Sequence, residues 1–212
     1  MSGPIFSEDF RRELDTLFAW RRDVRHFRRD PLPDGMIDEL LDMACKGPSV
    51  GNAQPWRFVQ VHTPERREAL ALQADACKHE AGNAYHAERG ALYDGLKLHG
   101  LREAPEVLAV FCDEAAGTGH GLGRATMPET LGWSVVTAIH TLWLGARARG
   151  IGLGWVSIID PAAINALLGV PDDWRFIALL CLGYPEEVSD TPELVRHGWQ
   201  PHLPASCTRF VR

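Results

Sequence analysis

Apolar positions along the chain recur with two periods, and the breaks between them are sharp. Phe10, Leu14, Leu17 and Phe18 fall at helical spacing behind Ser7, a capping residue followed by the acidic Glu8 and Asp9. A turn-rich connection over Asp30–Gly35 precedes a second helix with Met36, Ile37, Leu40, Leu41 and Ala44 on one face, ending near Gly47-Pro48. Trp56–His62 reads as a strand, and Thr63 then caps a helix with Pro64 at its first position. From Glu65 to Gly100 the chain is polar, helical and alanine-rich, with few bulky apolar residues between Gln73 and Gly90, which predicts a protruding or mobile segment. Val107–Cys112 is a buried strand, and Gly117–Gly123 is a flexible loop. Gly132–Arg149 is a long helix closed by Gly150, and a glycine-punctuated turn leads into a strand toward Ile159. Asp160-Pro161 starts a helix that ends at Gly169, Phe176–Leu182 is a further strand, and a short helix over Pro192–Arg196 interrupts a turn-rich tail. Four strands mixed with helices that do not strictly alternate predict one α+β domain over 1–212, without internal repeats.

Composition narrows the function classes. The 212 residues are 45% hydrophobic and 24% charged, as in ordinary globular domains, and the formal net charge is −6. A generic nucleic-acid binder is disfavoured by that sign, although a local basic pocket for a phosphate is not. Five cysteines, an odd number with no CxxC pair, fit a reduced intracellular chain. The first residues hold no apolar signal-peptide core. The longest apolar stretch, Leu131–Leu144, is too short to span a membrane and contains Ser134, Thr137, His140 and Thr141, so it reads as a buried core helix. The expected location is the cytoplasm.

Three constellations carry candidate chemistry. Arg21, Arg22 and Arg25 can grip a phosphate with charge-assisted bonds, or simply complement a helix C-terminus. Asp23, set among them, is either a local ion pair or a carboxylate able to move a proton at a bound ligand. The loop Pro48–Pro55 offers Ser49, Asn52 and Gln54 to a polar heterocycle, with Gly51 allowing close approach; an ordinary polar loop is the alternative. Gly150, Gly152 and Gly154 before Trp155 and Ser157 suggest unusual backbone angles or the close approach of something flat. Neither GxGxxG nor a Walker A pattern occurs, nor does GxSxG. The histidine spacings match no metal template, so no metal is expected, and His140 reads as a core or interface residue. The seven tryptophans are core by default, with Trp56 and Trp155 as candidate pocket walls.

Taken in order, these segments resemble the flavin-binding nitroreductase-like superfamily and, within it, the branch of 5,6-dimethylbenzimidazole synthases. The resemblance rests on RRDVR at Arg21–Arg25, PSVGNAQPWRFV at Pro48–Val59, LKLHGLREAP at Leu96–Pro105 and LGR at Leu122–Arg124. It continues in LWLGARARGIGLGWVSI at Leu142–Ile158, LCLGY at Leu180–Tyr184, PEL at Pro192–Leu194 and GW at Gly198–Trp199. It implies an α/β/α sandwich with a central, mostly antiparallel sheet, built as an intertwined homodimer with FMN at the subunit interface. It further implies that Arg21, Arg22, Asp23, Val24 and Arg25 grip the phosphate and ribityl chain, and that Pro48, Ser49, Val50, Gly51 and Gln54 lie beside the ring. Leu98 and Arg89 match a helical lid over about 73–100, and Ser157 a serine next to the flavin. Asp23 and Ser157 match the catalytic pair. The implied reaction uses reduced FMN as substrate and dioxygen as co-substrate, giving dimethylbenzimidazole and erythrose 4-phosphate for the cobalamin lower ligand. A separate flavin reductase is the implied partner. The alternative is an NAD(P)H-dependent FMN nitroreductase or quinone reductase, for which an acid at Asp23 has no evident use.

Overall fold

The computed structural model describes residues 3–204; Cys207 and the end of the tail lie outside them. Helix α1 (Glu8–Trp20) starts where Ser7 Oγ accepts the Phe10 N–H at 3.1 Å. Helix α2 (Met36–Ala44) follows, then strand β1 (Trp56–Gln60), α3 (Pro64–Gly82) and α4 (Ala87–Asp94). Strand β2 (Glu106–Asp113), helix α5 (Thr130–Ala148), strand β3 (Gly152–Val156), α6 (Pro161–Leu168), β4 (Trp174–Gly183) and the short α7 (Glu193–Arg196) complete the described chain. Asp160 caps α6 with its side chain on the Ala162 N–H, whereas Thr63 makes no side-chain cap at α3. The strand expected to reach His62 ends at Gln60.

The four strands form one sheet in the order β1-β2-β4-β3, with every neighbouring pair antiparallel. Alternation along the strands sends side chains to opposite faces. Leu108, Val110 and Cys112 of β2 pack with Leu180 and Leu182 of β4 under α2 and α5. Val107, Ala109 and Phe111 pack on the other face with Leu179 and Cys181, under Leu70, Ala71 and Ala74 of α3 and Ile164 of α6. The result is the expected α/β/α layering. A bulge opposite Val110/Phe111 inserts Ile177 into β4 and preserves the facing on both sides of it.

Three expectations need correction. Helix α5 is not buried all round: Leu131, Val135, Ile139 and Leu142 face the core, but Trp133, Val136 and His140 are exposed, so His140 is no core residue. The outward stripe shares the helix with the core stripe, and composition alone did not separate them. Of the tryptophans only Trp56 is buried. Finally, the 65–100 segment is anchored rather than loose at its ends. Leu70, Ala71 and Ala74 enter the core, while Tyr93 and Leu96 are buried at the far end. There the buried Leu70, Ala71 and Ala74 complete the cluster that covers this face of the sheet.

Candidate functional site

The residues after α1 run along the open edge of β3. Val24 N–H donates to Leu153 O at 3.0 Å, and Asp23 pairs with Leu153 as an isolated parallel bridge. The glycines of the GxGxG turn make this possible. A Cβ at Gly152 would lie 2.8 Å from Val24 Cγ2, and one at Gly154 would overlap the Val24 carbonyl oxygen. What Gly152 and Gly154 receive is the chain's own Val24, its side chain at Gly152 and its carbonyl at Gly154, while Gly150 faces open space.

That docking fixes Asp23. Its Oδ1 accepts the Trp155 N–H at 2.7 Å, and its Oδ2 accepts from Arg25 Nε at 3.1 Å and pairs with Nη2 at 2.9 Å. Burial raises the Asp23 carboxyl above its ordinary value; Arg25 and the Trp155 N–H pull it back, and Glu193 pushes it further up. Ser157 is exposed, immediately beyond β3 on the same edge. A cleft of about 300 Å³ opens beside Asp23, between the 22–26 segment and the segment from Glu186 to His197; Ser157 is not among the residues that line it.

The three arginines have different work. Arg22 is tied to carbonyl oxygens of Ala19, Arg21 and Asp190, closing the end of α1 and pinning the 190 segment. Arg21 lies over the Trp143 ring, 4.5 Å from its centroid. Arg25 is pinned on Asp23, yet its Nη1 is buried without a hydrogen-bond partner. A buried guanidinium N–H without a partner, on a residue that lines the cleft, suits an acceptor oxygen of a ligand.

The second half of the predicted site is a separate unit. In the loop before β1, Ser49 Oγ accepts the Gln54 N–H at 3.2 Å, and the Val50 N–H donates to Ser134 Oγ of α5 at 3.0 Å. Thr137 Oγ1 donates to Pro48 O at 2.8 Å. Gly51, Asn52 and Gln54 all have positive φ, between 48° and 55°, a strained run for the two side-chain-bearing residues. Gly51 lies against the backbone of Leu122 and Gly119, so the loop expected to be flexible at 117–123 is packed on it and contains a short 3-10 turn. Arg124 ends this unit, and its Nη1 is likewise buried and unpartnered. Arg124 closes the LGR motif, and nothing in the local sequence marks it as a site residue.

Within one chain the two halves stand apart. The loop at Ser49 enters β1 at Trp56, which pairs with Cys112, whereas Asp23 sits beside Leu153, which pairs through Leu182 with Glu106. They occupy opposite edges and opposite ends of the sheet, roughly 20 Å or more apart at ordinary strand spacing and rise. Arg89 is engaged elsewhere: it donates to Trp199 O at 2.8 Å and lies 4.5 Å over the Trp199 ring, beside Tyr85 and Tyr93. Leu98 is half-buried in the segment that follows α4. Glu193, the acid of the PEL motif, faces Arg25, His26 and His197. Among the described residues no cluster of three potential metal ligands occurs, and no helix is long and apolar enough to cross a membrane.

Known proteins resemble the chain in sequence and fold. The chain is 54% identical over 208 residues to a 5,6-dimethylbenzimidazole synthase of Rhodospirillum rubrum, covering 98% of this chain and 99% of that protein. It is 48% identical to one of Rhodobacter capsulatus, covering 96% and 99%. Among solved structures, oxidised iodotyrosine deiodinase bound to FMN and 3-iodo-L-tyrosine superposes with a TM-score of 0.70 at 24% identity, over 83% of this chain and 91% of that one. The family model described as the nitroreductase family matches residues 18–184, and with that span the chain belongs to the nitroreductase family.

Proposed function

We propose that the protein catalyses the oxygen-dependent fragmentation of reduced FMN to 5,6-dimethylbenzimidazole and erythrose 4-phosphate, the route to the lower ligand of cobalamin. The observation that carries this reading is Asp23: a carboxylate fixed by the Trp155 N–H and Arg25, raised in proton affinity, at the wall of an open cleft. Passing a hydride needs no acid there, whereas breaking carbon–carbon and carbon–nitrogen bonds needs protons moved. The names of the two bacterial relatives support the same reading.

Reduced FMN supplies the electrons for dioxygen and is itself the molecule that is broken. The residues present fit it: the unpartnered Nη1 atoms of Arg25 and Arg124 are donors suited to phosphate or ring carbonyl oxygens. Asp23 moves the proton at the ribityl C1′, and the exposed Ser157 beyond β3 positions that centre. Arg21 and Arg25 grip the phosphate and ribityl chain with Val24, while Arg22 holds the cleft wall through Asp190. Pro48, Ser49, Val50, Gly51 and Gln54 lie beside the ring, and the segment carrying Arg89 and Leu98 closes over it to exclude water. A second copy joins the two halves of the site. The exposed Trp133 and Val136 flank Ser134 and Thr137, the two α5 residues that hold the Ser49 loop, which leaves an apolar stripe beside this loop for that copy. A separate flavin reductase supplies reduced FMN, because each turnover consumes one. The site is that of a protein acting in the cytoplasm, where reduced flavin is made.

Asp23→Asn tests the assignment. Dimethylbenzimidazole formation is expected to fall by about 100-fold or more, with oxidised FMN still bound. Undiminished product formation in that variant overturns the role of Asp23.

A further inference from the structure

Arg25 lies between two carboxylates and serves them unequally. Its Nε and Nη2 edge engages Asp23 at 3.1 and 2.9 Å, while Nη1 reaches only within 3.9 Å of Glu193 Oε2, too far for a hydrogen bond. Glu193 is not a surface acid: its side chain is 10% exposed, against 28% for Asp23. It opens α7 and is wrapped by cationic and imidazole groups. His26 Nε2 stands 3.4 Å from Oε1 and His197 Nε2 stands 3.8 Å from it. The same cleft is lined by these residues and by Asp23 itself. Arg25, His26 and Asp23 come from one segment, Glu193 and His197 from another far along the chain, and Trp155 from β3. Cys181 of β4, in the core, is a thiol pushed up to about 12 by burial.

We propose that Glu193 is a positioning residue for the Asp23 site, holding the Arg25 guanidinium between two carboxylates so that Asp23 is never its sole partner. This deepens the synthase reading and rests on it. An arginine paired with one carboxylate alone locks that carboxylate in its ionised form, and such a group releases a proton readily but takes one poorly. A second buried carboxylate on the far side of the guanidinium divides the positive charge and adds its own negative field to Asp23. Asp23 thereby keeps the proton affinity that proton transfer at the ribityl chain demands. His26 and His197 keep Glu193 from being stranded without a partner on the cleft side. The arrangement also explains why Nη1 is left without a hydrogen bond: moving it onto Glu193 would break the two-point contact with Asp23.

The test is the titration of Asp23 itself, followed by carbon-13 NMR of the labelled carboxyl in the ligand-free protein and assigned with Asp23→Asn. Glu193→Gln keeps the shape and removes the charge, and is expected to move the Asp23 midpoint to lower pH by about half a unit or more. Glu193→Asp keeps the charge and is expected to leave the midpoint close to that of the parent, which separates charge from packing. In single turnovers with reduced FMN, the limb of the pH profile that follows Asp23 should move by the same amount in Glu193→Gln. An unmoved Asp23 midpoint in Glu193→Gln, or an equal shift in both variants, overturns the proposal. Should the parent form no dimethylbenzimidazole, the synthase reading fails, while the titration still decides whether Glu193 sets the state of Asp23.

Discussion

Asp23 is held in the folded protein in a place that disfavours its charge, and the sign of that effect has a thermodynamic consequence. Its folded pKa lies above the ordinary 3.8. Below that ordinary value the carboxyl is protonated in both folded and unfolded chains and favours neither. As pH rises, the unfolded chain ionises first, so stability is lost between 3.8 and the folded pKa and the loss stays constant above it. Asn removes the titration. The unfolding free energy of Asp23→Asn relative to the parent is therefore expected to improve with rising pH through that window and then level off, as measured by denaturant unfolding at a series of pH values. A relative stability that falls with pH instead would mean that Arg25 and the Trp155 N–H outweigh burial. The sequence placed Asp23 among arginines but presented Arg21, Arg22 and Arg25 as equivalent. Their division of labour is set by Asp190, Trp143 and Glu193, partners far along the chain that local spacing does not reveal.

At the scale of elements, the edge of β3 matters most. The 21–25 segment reaches its position because Gly152 and Gly154 present no side chain to it. Gly154→Ala is expected to push the Val24 carbonyl away, costing about 1–3 kcal/mol of stability and weakening FMN binding together. Gly150→Ala is the comparison. Gly150 has φ 73° with open space around it, so its cost of about 1 kcal/mol comes from the backbone angle alone and binding is retained. Equal binding losses in the two variants would contradict the docking role of Gly154. The periodicity made the helices and strands legible, including the Ser7 and Asp160 caps and the left-handed Gly169 that ends α6. It did not show that α5 carries two apolar stripes, or that alanine-rich α3 enters the core. Both depend on what an element faces, which hydropathy along one chain does not specify.

Across the whole molecule, one chain separates what the motifs suggested was a single site. Strand order places the Ser49 loop and Asp23 on opposite edges of the sheet, and the spacing of motifs along a sequence holds no record of which strands are edges. The separation fits a site completed by a second copy, with Trp133 and Val136 outside the core of the first. The family was legible because several short motifs occur in one order; the reaction was legible only through Asp23, a single acid where hydride transfer needs none. The account therefore stands most directly on the fate of the flavin. The measurement is one aerobic incubation of the protein with pre-reduced FMN and no nicotinamide, followed by chromatography and mass spectrometry. Dimethylbenzimidazole rising in proportion to the flavin lost is the predicted result. Recovery of all the flavin, intact and oxidised, would contradict the synthase reading and point to a reductase.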